Sequence, residues 1–119
     1  MKKTYDVIII GAGPAGIFAA YELVNENPQL KILLLDKGRE INQRKCPIPK
    51  TGSCMNCQPC GIMYGWAGAG AFSDGKLSLS PDVGGHLAEY IGYEETNELI
   101  HYADQIYRHY GAPEKVHGL

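Results

Sequence analysis

Two short apolar runs flank an amphipathic segment in the first forty residues. Residues 7–10 are an uninterrupted β-branched run, which predicts a strand buried on both faces of a parallel sheet. Residues 32–35 predict a second strand of the same kind. Apolar side chains recur at helical spacing between them, so we expect a strand–helix–strand unit with a right-handed crossover. The predicted apolar face of this helix holds Ile17, Tyr21 and Val24, with Phe18 and Ala20 beside it.

The first helix should begin at Pro14, because the missing N–H of proline costs little in a first helical turn. Its expected end is marked by Asn25, Asn27 and Pro28. Residues 38–85 are rich in Gly and Pro and predict loops and turns. No strong third strand–helix unit follows, so we expect an incomplete domain, the N-terminal piece of a longer protein.

The last third of the chain is predicted to be mainly helical. Its apolar face should hold Leu99, Ala103, Ile106 and Tyr110, with Ile100 and Tyr107 beside it. Gly111 and Pro113 are expected to stop this helix. Its tyrosines suggest packing against sequence outside this chain, and a contact within a homo-oligomer is the alternative.

Three glycines follow the first strand at once, and Asp36 closes the second strand, which together form the fingerprint of a dinucleotide-binding unit. Gly11 permits the tight turn, Gly13 lets the backbone approach a pyrophosphate, and Gly16 lets the helix pack closely on the strand. The helix N-terminus offers free N–H groups and partial positive charge to the phosphates. Asp36 should bind the adenosine ribose and disfavour a 2′-phosphate.

A second glycine-rich segment runs from residue 65 to residue 77. Its small glycines offer a backbone that a ligand can approach closely, a serine can donate a hydrogen bond, and a lysine can attract an anion. A glycine hairpin packed for structural reasons is the alternative, but the first fingerprint favours a cofactor contact. The residues concerned are Gly65, Gly68, Gly70, Ser73 and Lys76.

The four cysteines lie within fifteen residues, in the pattern C-x7-C-x2-C-x2-C. Closely spaced thiolates can converge on one ion, and four sulfurs suit either Zn²⁺ or an iron–sulfur cluster. A redox dithiol and four free thiols are the alternatives, whereas structural disulfides are not expected in a chain of intracellular character. The predicted metal ligands are Cys46, Cys54, Cys57 and Cys60.

Composition narrows the classes of partner. The formal net charge of −2 gives no reason to expect a nucleic-acid or anionic-membrane surface. No apolar run reaches the length of a membrane span, and the N-terminal one is too short for a signal peptide. We therefore expect a cytoplasmic protein that binds neither membrane nor nucleic acid.

The segment Tyr5–Gly16 is similar to the start of flavoprotein oxidoreductases that bind FAD at their N-terminus. The Arg-Lys-Cys-Pro sequence at residues 44–47, the cysteine group, the stretch at residues 68–77 and the Gly-Gly pair at residues 84–85 narrow this resemblance. They resemble bacterial FAD-dependent dehydrogenases of the NAD(P)/FAD-dependent oxidoreductase family. The resemblance spans nearly the whole chain but only the first part of such a protein.

This resemblance implies an FAD-dependent oxidoreductase whose N-terminal segment binds the ADP part of FAD, with NAD(P)H as a further co-substrate and an unidentified small-molecule substrate. It implies no catalytic residue, and it leads us to expect a glycine-like residue where Ala67 stands. The implied cofactor contacts are Gly11, Gly13, Pro14, Ala15, Gly16, Asp36, Lys37, Gly68, Gly70, Ser73 and Lys76.

The predicted organisation is thus α/β: a Rossmann-like βαβ unit (1–40), a cysteine loop (41–64), a glycine-rich segment (65–85) and a helical segment (86–119), all belonging to one FAD-binding domain. Two other functions stay open at this point. One is a small four-cysteine metal-binding or electron-relay module, and the other is a fragment of an NAD-binding dehydrogenase. The fragment alone is expected to be inactive.

Overall fold

The computed structural model describes residues 2–117, which form two compact units divided between Gly75 and Lys76. The first unit has the α/β architecture expected of a Rossmann-like start. Its elements are β1 (Val7–Ile10), α1 (Pro14–Glu26), β2 (Ile32–Leu35), a 3-10 turn (Ile41–Gln43), α2 (Ile48–Thr51) and a second 3-10 turn (Ala69–Phe72). The second unit holds α3 (Leu87–Ile91) and α4 (Tyr93–His109).

The two strands pair in parallel, from Val7 opposite Ile32 to Ile10 opposite Leu35. The Asp6 carboxylate accepts a hydrogen bond from the Lys31 N–H at 2.8 Å, which holds the entry of the second strand against the first. The ladder continues past the strands, because the Gly11 N–H donates to the Leu35 carbonyl at 2.6 Å. The predicted strand–helix–strand unit is therefore confirmed.

The expectation that β1 is buried on both faces is wrong for the described residues. Val7 and Ile9 are half-buried, whereas the side chains of the opposite face, Ile8 and Ile10, are 58% and 86% exposed. The physical reason is that α1 packs on only one face of the two-stranded sheet, the face of Ile9. An apolar run predicts a strand, but what covers each face depends on neighbouring elements.

Helix α1 begins at Pro14 and ends at Glu26, as predicted. Asn27 ends it by donating its N–H to the Leu23 carbonyl at 2.9 Å and by accepting the Gln29 N–H on its side-chain oxygen at 3.1 Å. The predicted face is half-buried except for Val24, which is 48% exposed. The prediction for Val24 is wrong: in the last turn of α1 the neighbouring Leu23 is half-buried instead.

In the second unit, Gly92 separates α3 from α4 with a φ of 90°, a conformation that favours glycine. Thr96 is buried, and its hydroxyl donates to the Gly92 carbonyl at 2.7 Å. The predicted stop at Gly111 is confirmed, with the Ala112 N–H donating to the Tyr107 carbonyl at 3.0 Å.

The predicted apolar face of α4 is correct only in part. Ile100, Ala103 and Ile106 are half-buried, but Leu99 and Tyr110 are 47% and 72% exposed. The less exposed stripe runs instead from Thr96 through Ile100 and Ala103 to Ile106, and α3 packs against α4. Over residues 2–117, no helix is long and apolar enough to cross a lipid bilayer.

Candidate functional site

The three glycines between β1 and α1 meet three different physical requirements. Gly11 has a φ of 108°, which side chains rarely adopt. A Cβ on Gly16 would overlap the Gly11 carbonyl and lie 3.4 Å from Cγ2 of Ile9, so glycine there permits the helix to sit close to the strand. Gly13 has an ordinary φ of −76°, and a Cβ on it would meet no protein atom within 4 Å. The protein's own packing therefore does not require glycine at position 13, and the space before it is open.

The N-terminus of α1 faces this open space without a cap. Gly13 is the N-cap residue and accepts the Ile17 N–H at 3.0 Å, and Pro14 contributes no donor. Within residues 2–117, no side chain caps α1, and no acidic residue lies in its first turn. The N–H groups of Ala15 and Gly16 lie in that first turn, where a helix offers them no internal acceptor. Such a helix end favours an anion.

Asp36 connects the end of β2 to the glycine loop. One carboxylate oxygen accepts the N–H of the fully buried Ala12 at 2.9 Å, and the other accepts the Gly38 N–H at 2.8 Å. These two backbone hydrogen bonds lower the pKa of Asp36, with the Gly65 N–H and the Arg44 charge adding to the effect against the cost of burial. The two carboxylate oxygens have about four lone-pair sites, so at least one stays available beyond these backbone donors. The ribose contact of Asp36 stays a prediction.

The second glycine-rich segment passes along the first. Gly65 forms a parallel bridge with Arg39, and a Cβ on Gly38 would overlap the Gly65 backbone, so the two chains cross at close range. The segment then reaches the glycine loop, where the Ala67 N–H donates to the Ala12 carbonyl at 2.9 Å. The loop and the second segment thus form one backbone surface.

Two positions of this segment adopt the left-handed region. Gly68 has a φ of 63°, and a Cβ on it would lie 3.1 Å from the Gly13 Cα, so glycine is needed for the close approach. Ala67 has a φ of 67°, which carries strain for a residue with a side chain. The expectation of a glycine-like residue at position 67 agrees with this backbone.

Arg44 is a residue that the sequence reasoning missed. Its side chain is only 4% exposed, although arginine is rarely buried. Its guanidinium donates to the Gly61 carbonyl at 2.9 Å, to the Ile62 carbonyl at 2.6 Å and to the Gly68 carbonyl at 2.8 Å, and it also donates to the Trp66 carbonyl. No periodic pattern marks this arginine, because loops rather than a helix or strand bury it.

The other predicted cofactor-binding residues lie in different local surroundings. The ammonium of Lys37 lies 3.5 Å above the ring of Tyr64, a cation–π contact. The Ser73 hydroxyl accepts the Gly75 N–H at 3.1 Å and so supports the local turn, while Gly70 lies in the second 3-10 turn. Lys76 belongs to the second unit, and its cofactor contact stays a prediction.

The structure does not assemble the predicted metal centre. Among the described residues, no group of three or more His, Cys, Asp or Glu side chains is arranged to hold a metal ion. All four cysteines are free, and Cys54 and Cys57 are exposed. The Cys54 sulfur accepts the Asn56 N–H at 3.5 Å. The assignment of Cys46, Cys54, Cys57 and Cys60 as metal ligands stays a prediction.

Comparison with known proteins points to one family. The model of the pyridine nucleotide-disulphide oxidoreductases matches residues 5–76, which include the first glycine loop, Asp36 and residues 65–76 of the second glycine-rich segment. An uncharacterized protein of Clostridium beijerinckii is 36% identical over 73 residues, which cover 60% of this chain and 13% of that protein.

Two further relatives match shorter stretches. The mitochondrial L-2-hydroxyglutarate dehydrogenase of Dictyostelium discoideum is 48% identical over 40 residues, 34% of this chain and 9% of the relative. The uncharacterized protein Mbar_A1602 of Methanosarcina barkeri is 43% identical over 56 residues, 47% of this chain and 14% of the relative. The aligned stretches thus span 9–14% of the length of these relatives. No solved structure matches the chain significantly.

Proposed function

The chain belongs to the pyridine nucleotide-disulphide oxidoreductase family, and from that membership we propose that it binds the ADP part of FAD within a flavin-dependent oxidoreductase. A dinucleotide-binding oxidoreductase domain is what the family provides. The choice of FAD rests on the resemblance of the N-terminal segment to flavoproteins. The observation that carries the proposal is the bare backbone at Gly13, open on its side-chain face and set at the uncapped end of α1.

The donor set of this site suits a pyrophosphate. The loop of residues 11–16 offers backbone N–H groups and the positive end of a helix, and no acidic residue lies in the first turn of α1. Gly68 adds a second stretch of bare backbone beside Gly13. Asp36, held ionised by its backbone donors, would accept hydrogen bonds from the ribose hydroxyls.

In this arrangement the chain would bind and orient the cofactor, and the bound flavin would supply hydride or electron transfer. Asp36 fastens the glycine loop to β2, which keeps the N–H groups of the loop directed at one place. A mitochondrial 2-hydroxyglutarate dehydrogenase among the relatives makes a small hydroxy acid one candidate substrate class to assay.

A titration of the intact, cofactor-stripped protein with FAD, ADP, FMN and NAD⁺ tests the proposal. We expect FAD to bind, ADP to compete with it, and FMN to bind far more weakly because FMN lacks the ADP part. Binding of FMN equal to that of FAD would contradict recognition through the glycine loop. Binding of NAD⁺ alone would instead make the chain part of an NAD-binding dehydrogenase.

A further inference from the structure

The buried Arg44 is not explained by the proposed contacts with a dinucleotide. Burying a guanidinium is costly unless hydrogen bonds replace its water. Backbone carbonyls accept the hydrogen bonds that water would otherwise accept from Arg44. Its guanidinium also lies 4.8 Å from the centre of the Phe72 ring. Its four hydrogen-bond acceptors are Gly61, Ile62, Trp66 and Gly68.

All four acceptors lie in residues 61–68, which we call the arginine-bound turn. This turn contains no helix or strand, and its internal backbone bonds are few, one of them from the Gly68 N–H to the Gly65 carbonyl at 2.9 Å. A segment without regular structure needs other partners for its carbonyls. Arg44 therefore provides the donors that helix or sheet would otherwise supply.

The far end of the arginine-bound turn contacts the glycine loop. Ala67 donates its N–H to Ala12, and Gly68 lies against Gly13, while the carbonyl of the same Gly68 accepts from Arg44. One guanidinium group thus links the interior of the turn to the residue beside the bare backbone of Gly13. A shift of the turn would move Gly68 relative to the space that a pyrophosphate would occupy.

We propose that Arg44 is a positioning residue of the dinucleotide site, which sets cofactor affinity by holding Gly68 against Gly13. The inference rests on the proposed function. Arginine suits this role because its planar guanidinium offers five N–H donors in a fixed fork. Four of these donors are enough to give each of the four carbonyls its own hydrogen bond. Lysine would keep the charge but offers only three donors on a compact ammonium.

The test compares FAD affinity in the intact protein and its Arg44→Met and Arg44→Lys variants. Lys45→Met is the matched control, because Lys45 is the neighbouring cation and is exposed. We expect Arg44→Met to weaken FAD binding about tenfold or more, since the carbonyls of the arginine-bound turn lose their donor. Arg44→Lys should recover part of this loss, and the control should bind like the wild type. The visible circular dichroism of saturated protein should change in Arg44→Met and return towards wild type in Arg44→Lys.

The possible outcomes separate this inference from the proposed function. A wild type that binds no FAD would overturn both. A wild type that loses FAD upon Gly13→Asp but keeps wild-type affinity in a folded Arg44→Met variant would overturn the role of Arg44 alone. Far-UV circular dichroism checks that each variant is folded. If Arg44→Met does not fold, Arg44→Lys decides: wild-type affinity and spectrum overturn the inference, and weakened binding in a folded protein supports it.

Discussion

Gly13→Asp should stabilise the protein while abolishing its binding of dinucleotide. Gly13 is the N-cap of α1, with φ −76° and ψ −178°, an extended conformation that aspartate adopts without strain. Its carboxylate can accept the free N–H groups of the first turn, and its charge favours the helix N-terminus. Capping and loss of glycine's flexibility in the unfolded chain together should raise the free energy of unfolding by about 0.5–1 kcal/mol.

The same carboxylate would occupy the space that we assign to the pyrophosphate. Two like charges about 4 Å apart repel by roughly 4 kcal/mol at an effective dielectric constant of 20. An energy of that size corresponds to about a thousandfold loss of affinity. The free energy of unfolding should therefore rise while the affinity for FAD falls. A substitution that merely disrupted the fold would lower both.

The assay pairs urea denaturation with FAD titration of the intact protein. Gln29→Glu is the matched control, because it adds the same charge at an exposed position after α1 and should leave both quantities nearly unchanged. Wild-type FAD affinity in a folded Gly13→Asp protein would refute the placement of the phosphate. A large loss of stability would refute the view that glycine is needed at position 13 only for ligand binding and not for folding.

Three further predictions concern the surroundings of the site. Gly16→Ala should lower the free energy of unfolding by about 1–3 kcal/mol, because its Cβ overlaps the Gly11 carbonyl; an unchanged urea midpoint would contradict this. The folded-state pKa of Asp36 is lowered, so its stabilisation is complete above about pH 4 and is lost as the pH falls through the folded-state pKa. Asp36→Asn should be less stable at pH 7 and lose less stability on acidification, and equal urea midpoints across pH would speak against this. The N–H groups of Met63 and then Ile62 lower the pKa of Cys60, so mass spectrometry should find Cys60 alkylated by iodoacetamide at a lower pH than an ordinary thiol; an ordinary pH profile would contradict this.

The strand–helix–strand unit could be predicted from the sequence because its signals are local. The β-branched run predicts β1, Pro14 marks the start of α1 and Asn27 marks its end. The spacing of the three glycines is set by the turn between β1 and α1. Gly16 illustrates this well: its need for a bare backbone is set by residues only a few positions away. Such requirements leave a pattern that a single sequence displays.

The remaining features depend on contacts between distant residues. The burial of Arg44 arises from carbonyls 17 to 24 positions later in the chain, and no periodicity signals such an arrangement. The buried side of α4 depends on where α3 packs, so Leu99 could be assigned to the wrong face. The cysteine spacing permitted a metal site, but convergence of the thiols depends on loop conformation, which spacing does not determine.

Identification of the cofactor in the intact protein tests the central claim most directly. The protein would be purified without added nucleotide, its ligand released by acid, and the released molecule identified and counted by liquid chromatography and mass spectrometry. We predict FAD at about one molecule per chain in the wild type, and its absence from the Gly13→Asp variant. Recovery of NAD(P) alone, or of FAD in equal amount from both proteins, would contradict binding of the ADP part of FAD at the glycine loop.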